Sequence, residues 1–253
     1  MRPAPFKDHF SQHAGEYAKY RPHYPAALFE YLAGLAPARE AAWDCATGNG
    51  QAALGLAPYF DRIIGTDASA PQITQATPHP KVQYAVVPAE RTAMPARSLD
   101  LIAVAQALHW FHFNEFYAEA RRVLKPRGVI AVWCYNLLRC EPGIDALLDE
   151  YYVNVVGRFW PPERKLLEDR YQNISFPFAE IAAPNFFMEA EWPLDDLLGY
   201  LRTWSATQIF IAQNQADPLV DFRRRLLAHW DNPALSKRMQ WPLYVRVGRM
   251  TAN

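Results

Sequence analysis

The sequence predicts an α/β protein with a mostly parallel sheet and helices on both faces. Three stretches predict it. A short apolar run from residue 41 ends in Asp44, and a turn with Gly48 and Gly50 joins it to the helix-forming run QAALGLAPYF. Residues 99–105, LDLIAVA, are too continuously apolar for a strand with one wet face and suit a central strand covered on both sides. Residues 241–250, WPLYVRVGRM, alternate apolar and polar, as an antiparallel edge strand does.

The other elements follow in chain order. Before the first strand, FSQHAGEYAKYRPHYPAALFEYLAGL holds two helical candidates separated by RPHYP, where Pro22 and Pro25 break the first and Pro25 can open the second. Strand one is 41–47 and its crossover helix 51–60. Strand two is 62–67, ending in Asp67. A short helix over 69–76 has Ser69 as N-cap and Pro71 in its first turn. Residues 81–87, KVQYAVV, read as strand three, and Pro88-Ala89-Glu90 ends it. Strand four is followed by QALHWFH. A helix over 116–124 leads through Lys125-Pro126-Arg127-Gly128 into strand five, 129–135. Residues 137–175 turn irregularly helical, with Phe159-Trp160-Pro161-Pro162 as a break. A sixth strand is expected within 181–192, one helix over 194–211 and another over 217–230. Five helix-linked strands followed by a strand pair make one domain, 1–253. Its core is about 36–136 and 176–253, its N-terminal segment 6–35 and its helical insert 137–175.

The junction around residues 44–53 carries the chemistry. At a strand–glycine–helix turn, backbone N–H groups face a crevice and glycines let a ligand approach the main chain. An acid ending the second strand of a βαβ unit is placed to accept hydrogen bonds from ribose hydroxyls, and Asp67 stands there. Gly48-Asn49-Gly50-Gln51-Ala52-Ala53 fits the dinucleotide pattern G-x-G-x-x-A. Asp44 speaks against a dinucleotide: a carboxylate beside the turn repels a pyrophosphate and favours a cationic ligand.

Composition excludes several classes. The chain of 253 residues is 51% hydrophobic and 21% charged, with formal net charge zero, so it has no general electrostatic hold on nucleic acid or an anionic membrane. Cys45, Cys134 and Cys140 show no CxxC spacing, and the odd count fits a reducing cytoplasm. No signal-peptide pattern or run long enough to span a bilayer is seen. His9 and His13 stand one helical turn apart without a third ligand, and no metal is expected.

Asp44-Cys45-Ala46-Thr47-Gly48-Asn49-Gly50 resembles the first motif of class I S-adenosylmethionine (SAM)-dependent methyltransferases, an acid followed by glycines at alternate positions, with Ala46 where the family usually has glycine. QALHWFH resembles the segment after strand four in the group that includes trans-aconitate methyltransferase and the type 11 methyltransferase domain, and RRVLKPRGVIAVW resembles the block leading into strand five. The resemblance covers residues 40–136 well and the flanks loosely. It implies a Rossmann-like class I methyltransferase fold, a seven-stranded, mostly parallel sheet with an antiparallel last strand. It implies SAM as cofactor and S-adenosylhomocysteine as product, with Asp44, Ala46, Gly48, Gly50, Asp67, Ala68, Ala89, Glu90 and Gln106 as cofactor-binding candidates. The segment before strand one would fold over as a lid, bringing Tyr17, Tyr20 and Arg21 near cofactor or substrate.

The implied reaction is in-line methyl transfer, in which the protein must supply alignment and exclusion of water. A carboxylate acceptor needs no base, and Arg21 would hold it bidentately. A hydroxyl or acidic carbon needs one, and His109 is the nominee; Tyr20 completes the catalytic candidates. Tyr20, Trp133 and Trp204 would wall the sulfonium through cation–π contact. Trp110, Tyr135 and Tyr200 join Trp133 and Trp204 as substrate-binding candidates. The expectation is a cytoplasmic monomer or homodimer acting on a small-molecule acceptor, with no nucleic acid or membrane partner. The alternatives are a non-catalytic SAM-binding protein on this scaffold and an NAD-dependent oxidoreductase.

Overall fold

The computed structural model describes residue 20 and residues 22–251. The expectations for Tyr17 and Arg21, and the His9–His13 pair, lie outside the described residues. In chain order the elements are α1 (Ala26–Leu35), β1 (Ala41–Cys45), α2 (Gln51–Leu56), β2 (Arg62–Asp67), α3 (Ala70–Thr74), β3 (Val82–Val86), β4 (Leu99–Ala105), α4 (Phe113–Val123) and β5 (Leu124–Cys134). Then come α5 (Pro142–Glu150), α6 (Arg164–Glu168), β6 (Ala179–Ile181), β7 (Phe186–Trp192), α7 (Leu194–Arg202), α8 (Ser205–Asn214), α9 (Pro218–Leu226) and β8 (Lys237–Arg249).

The sheet order is β3-β2-β1-β4-β5-β8-β6, with β7 also on β8. β1 to β5 pair in parallel, and β8 runs antiparallel to β5. β6 pairs residues 247–249 of β8 and β7 pairs residues 237–243, so the two are one edge strand interrupted at residues 182–185. This gives seven strand positions. The expected sixth strand is these two pieces.

Burial follows the patterns that predicted the strands. β1 is buried at every position and β4 at all but its last, because helices cover both faces. One apolar layer packs α1 and α2 with Trp133, Tyr200 and Trp241. The other packs α4 with Ile102, Ile130 and Tyr171. At the N-terminal ends of the strands, Asp100 is fully buried and accepts from the N–H groups of Glu40 and Ala41, both at 3.0 Å. Lys125 Nζ lies 2.9 Å from its other oxygen, so this buried charge is paired. The opposite, C-terminal ends remain open.

Three local expectations are corrected. Lys125-Pro126-Arg127-Gly128 is a bulge within β5 rather than a turn before it. The pairing jumps from Leu99↔Leu124 to Leu101↔Val129, with Arg127 at φ +64°. The single helix over 194–211 is two helices, because Thr203 ends α7 and Trp204 is extended at φ −68°, ψ 131°. The crossover helix α2 closes at Leu56, short of residue 60.

Candidate active site

The turn after β1 is built on left-handed residues at alternate positions: Ala46 at φ +57°, Gly48 at +55° and Gly50 at +90°. Alanine in this conformation costs roughly 1 kcal/mol relative to glycine. Asp44, fully buried behind the turn, offsets that cost. Its Oδ2 accepts from Thr47 Oγ1 at 2.5 Å and from Ala53 N at 2.8 Å. Ala53 is the third residue of α2, whose N-cap Gly50 has no side chain to offer. Asp44 therefore caps α2 from the strand. It does not line the cavity, and burial pushes its carboxyl up to about 7 despite the bonds from Thr47 and Ala53.

Gly50 also lies outside the cavity wall. A Cβ there would land on the Tyr84 hydroxyl, which donates to Thr77 O at 3.0 Å. Gly50→Ala is expected to lower stability by about 2 kcal/mol, from backbone strain plus the Tyr84 clash, read as a lowered urea midpoint with unchanged slope.

Asp67 closes the turn from the neighbouring strand. Its Oδ2 accepts from Gly48 N at 3.0 Å and its Oδ1 from Ser69 N at 2.8 Å. Ser69 in turn caps α3, accepting from Gln72 N. The carboxylate thus sits at the end of β2 facing a cavity of about 300 Å³ that Asp67, Ala46, Gly48 and Ala68 line. Ala89 and Glu90, after β3, line the same side. Glu90 Oε1 accepts from His112 N at 3.0 Å, tying the β3 loop to the β4 loop. Small side chains at 46, 48, 68 and 89 leave the main chain open to a ligand.

The β4 end supplies the rest of the floor. Gln106, left-handed at φ +55°, turns its amide onto the next strand: Nε2 donates to Tyr135 O at 3.1 Å, and Tyr135 N donates to Oε1 at 2.9 Å. Gln106 lines the cavity with its amide committed to the β4–β5 junction. His109 and Trp110 follow in a 3-10 turn, Leu108–Trp110, and both line the cavity, as does Tyr135. His109 is buried, with Nδ1 2.8 Å from the Tyr171 hydroxyl. Burial first, and the positive Arg164 second, push its pKa down to about 3.

Tyr200 and Trp204 also line the cavity. Two other aromatic candidates do not. Trp133 is fully buried beneath the floor, packed edge-on against Tyr24 and Phe29 at 5.4 and 6.4 Å. Along a strand buried on both faces, apolar pattern alone does not say which side chains point to the mouth. Tyr20 packs over Gly199 of α7, where an added Cβ would meet its ring. The insert contributes groups that sequence reasoning missed: Trp160 and Arg164, with Tyr171 behind His109. Trp160 lies 5.5 Å from Trp204 and 5.1 Å from Tyr152, ring to ring. Tyr171, fully buried, follows Arg170 in two successive left-handed residues at φ +57° and +55°, a strained turn that aims its hydroxyl at His109. No group of three or more histidine, cysteine or acidic side chains suited to a metal occurs among the described residues.

Comparison with known proteins decides the family. A methyltransferase-domain family model matches residues 43–132. A Dictyostelium discoideum protein described as a methyltransferase is 33% identical, over 89% of this chain and 87% of its own length. The chain belongs to the class I SAM-dependent methyltransferases. A solved structure described as a type II methyltransferase from Anaeromyxobacter dehalogenans is 45% identical to this methyltransferase, with a TM-score of 0.88. It covers 92% of this chain and 99% of its own. A Saccharomyces cerevisiae protein described as a SAM-dependent methyltransferase is 22% identical over 81% of this chain and 83% of its own.

The residues present fit SAM. One side of the cavity of this methyltransferase offers carboxylates and open main chain, suited to hydroxyls and a cation. The other, formed by the β4 and β5 ends and the insert, offers aromatic rings, a neutral histidine and a guanidinium.

Proposed function

We propose that this enzyme methylates an oxygen atom of a small-molecule acceptor, foremost a carboxylate. Asp67, Gly48, Ala68, Ala89 and Glu90 hold the cofactor, and Trp110, Tyr135, Tyr200 and Trp204 wall the acceptor. The observation that carries the reading is the state of His109. Among the described residues it is the one histidine lining the cavity, its Nδ1 is engaged by Tyr171, and it is neutral throughout the physiological range. The acids that line the cavity, Asp67 and Glu90, stand on the cofactor side. A group with a pKa near 3 is a feeble base at neutral pH. An amine, alcohol or carbon acid that must give up a proton is therefore poorly served, whereas a carboxylate arrives ionised.

Bound SAM supplies a methyl group on a cationic sulfur. The chain's own part is alignment and dryness. Trp110, Trp160 and Trp204 shed water from the anion, so that its charge is not masked as it approaches a cation. His109 presents its ring edge to the acceptor and takes no proton. His109→Ala is expected to lower kcat about tenfold while S-adenosylhomocysteine affinity stays within about twofold, because one positioning contact is worth roughly 1.4 kcal/mol. Unchanged kcat would reduce His109 to packing.

The test is labelled methyl transfer from SAM to a panel of small carboxylic acids, with matched alcohols and amines alongside. Label in base-labile ester supports the reading; label confined to amines overturns it.

A further inference from the structure

We propose that Arg164 holds a carboxylate of the methyl acceptor, so that the insert selects organic anions with a flat apolar body. The inference rests on the site reading above and goes beyond it in naming what recognises the substrate.

Arg164 is the first residue of α6 and lines the cavity on the acceptor side. Its guanidinium is fixed before any ligand arrives. The plane stacks on Trp160, 4.4 Å from the ring centroid, and reaches Tyr152 at 5.4 Å. Nε donates to the Tyr152 hydroxyl at 2.9 Å and Nη2 to Asn136 Oδ1 at 2.6 Å. The Tyr152 hydroxyl donates onward to Glu168 Oε1 at 2.7 Å. Both partners of the guanidinium are neutral oxygens, and they occupy its side edge.

What is left is a fork. A guanidinium carries five N–H groups in one plane. With Nε and one Nη2 hydrogen committed, the end edge keeps Nη1 and the second Nη2 hydrogen: two parallel donors with the spacing of a carboxylate. The contrast with other arginines is informative. Arg122, Arg225 and Arg246 each sit on a glutamate, Glu119, Glu150 and Glu180. Among the described residues Arg164 has no such ion pair, and Glu168 reaches it only through Tyr152. A half-buried cation stacked between aromatic rings, oriented by neutral acceptors and lining a cavity, is arranged for a visiting anion. The Trp160 and Trp204 rings, 5.5 Å apart, line the same side and suit an aromatic or otherwise flat body.

The test uses the full-length protein saturated with S-adenosylhomocysteine. It is titrated calorimetrically with benzoate, cinnamate and indole-3-acetate, and with the primary amide of each. In the wild type at least one acid is expected to bind about tenfold or more tighter than its amide. Arg164→Met should shrink that preference to about twofold or less, with S-adenosylhomocysteine affinity held within about threefold. Asn136→Ala retains the charge but loosens the fork. It should reduce the preference about threefold, which keeps the proposal testable should Arg164→Met fold poorly. Equal binding of every acid and its amide, or no binding of any acid, overturns the proposal. So does a preference that survives Arg164→Met. A tenfold loss of S-adenosylhomocysteine affinity in Arg164→Met would place the guanidinium on the cofactor's own carboxylate and also overturn it. Failure of the wild type to bind S-adenosylhomocysteine is a different result, and overturns the cofactor site itself.

Discussion

Asp67→Ala is expected to weaken S-adenosylhomocysteine binding about a hundredfold, because one carboxylate performs two tasks. On the proposed reading it accepts from ribose hydroxyls, and it already holds the backbone N–H groups of Gly48 and Ser69 at 3.0 and 2.8 Å. A bond to a charged acceptor contributes roughly 1.5–3 kcal/mol, so losing one such ligand bond is worth about tenfold to a hundredfold. The rest comes from the turn. Without Asp67, Gly48 and Ser69 lose partners in a partly buried place, and the left-handed turn at 46, 48 and 50 keeps only its Thr47 N–H to Thr66 carbonyl bond as a main-chain tie to β2. Asp67→Asn separates the tasks. Its amide keeps one acceptor for the backbone but loses the charge and the second acceptor, so affinity should fall about tenfold with a smaller drop in melting temperature than in Asp67→Ala. Calorimetric titration reads both variants. Wild-type affinity in Asp67→Ala would remove Asp67 from the cofactor site.

The same residues show what is legible in a sequence. That Asp67, Ala68, Ala89, Glu90 and Gln106 share one cavity was readable because each stands where a strand pattern stops, and clefts in open α/β sheets gather at those ends. Gln106 shows the limit. Strand ends locate a side chain but do not say whether its amide faces a ligand or, as here, clasps the Tyr135 main chain. Trp133 failed through symmetry, since both faces of β5 are apolar and period-two alternation carries no information there. The break at Trp204 failed because no glycine or proline marks it. Contacts with Tyr152, Trp160 and Tyr200 at 6.0, 5.5 and 5.8 Å hold that residue extended against the helical preference of its neighbours. Arg164 and Tyr171 were invisible for a third reason. They belong to short, irregular elements, and Tyr171 meets His109 across 62 residues of sequence. Such pairing is a product of the assembled fold, and only a strained pair like Arg170-Tyr171, once seen, marks the place as built for something.

Asp44 should make the stability of this enzyme fall as pH rises from about 4 to about 7, the reverse of ordinary carboxylates. Its carboxyl titrates near 3.8 when exposed and is pushed up to about 7 in the fold. Between those values the folded chain keeps a proton that the unfolded chain has released. Unfolding then sheds a proton, so stability declines by up to about 1.4 kcal/mol per pH unit and levels off above pH 7. The full decline is on the order of 4 kcal/mol. The cause is geometric: Oδ2 accepts from Thr47 and Ala53, but Oδ1 is buried without a partner among the described residues. Ionising such a group is costly. A bound cation changes the balance, since the ammonium of the cofactor's amino-acid end favours the ionised form. S-adenosylhomocysteine should therefore raise the melting temperature more at pH 8 than at pH 6, with proton release on binding. Asp44→Asn removes the titration while keeping an acceptor for Ala53. The difference between wild-type and variant melting temperatures, followed from pH 5 to 8 with and without ligand, isolates Asp44 from every other titrating group. Parallel curves in the free protein would mean that Asp44 is ionised throughout and is purely a cap. A wild-type decline that ligand does not relieve would mean that the cofactor's cationic end lies elsewhere in the cavity.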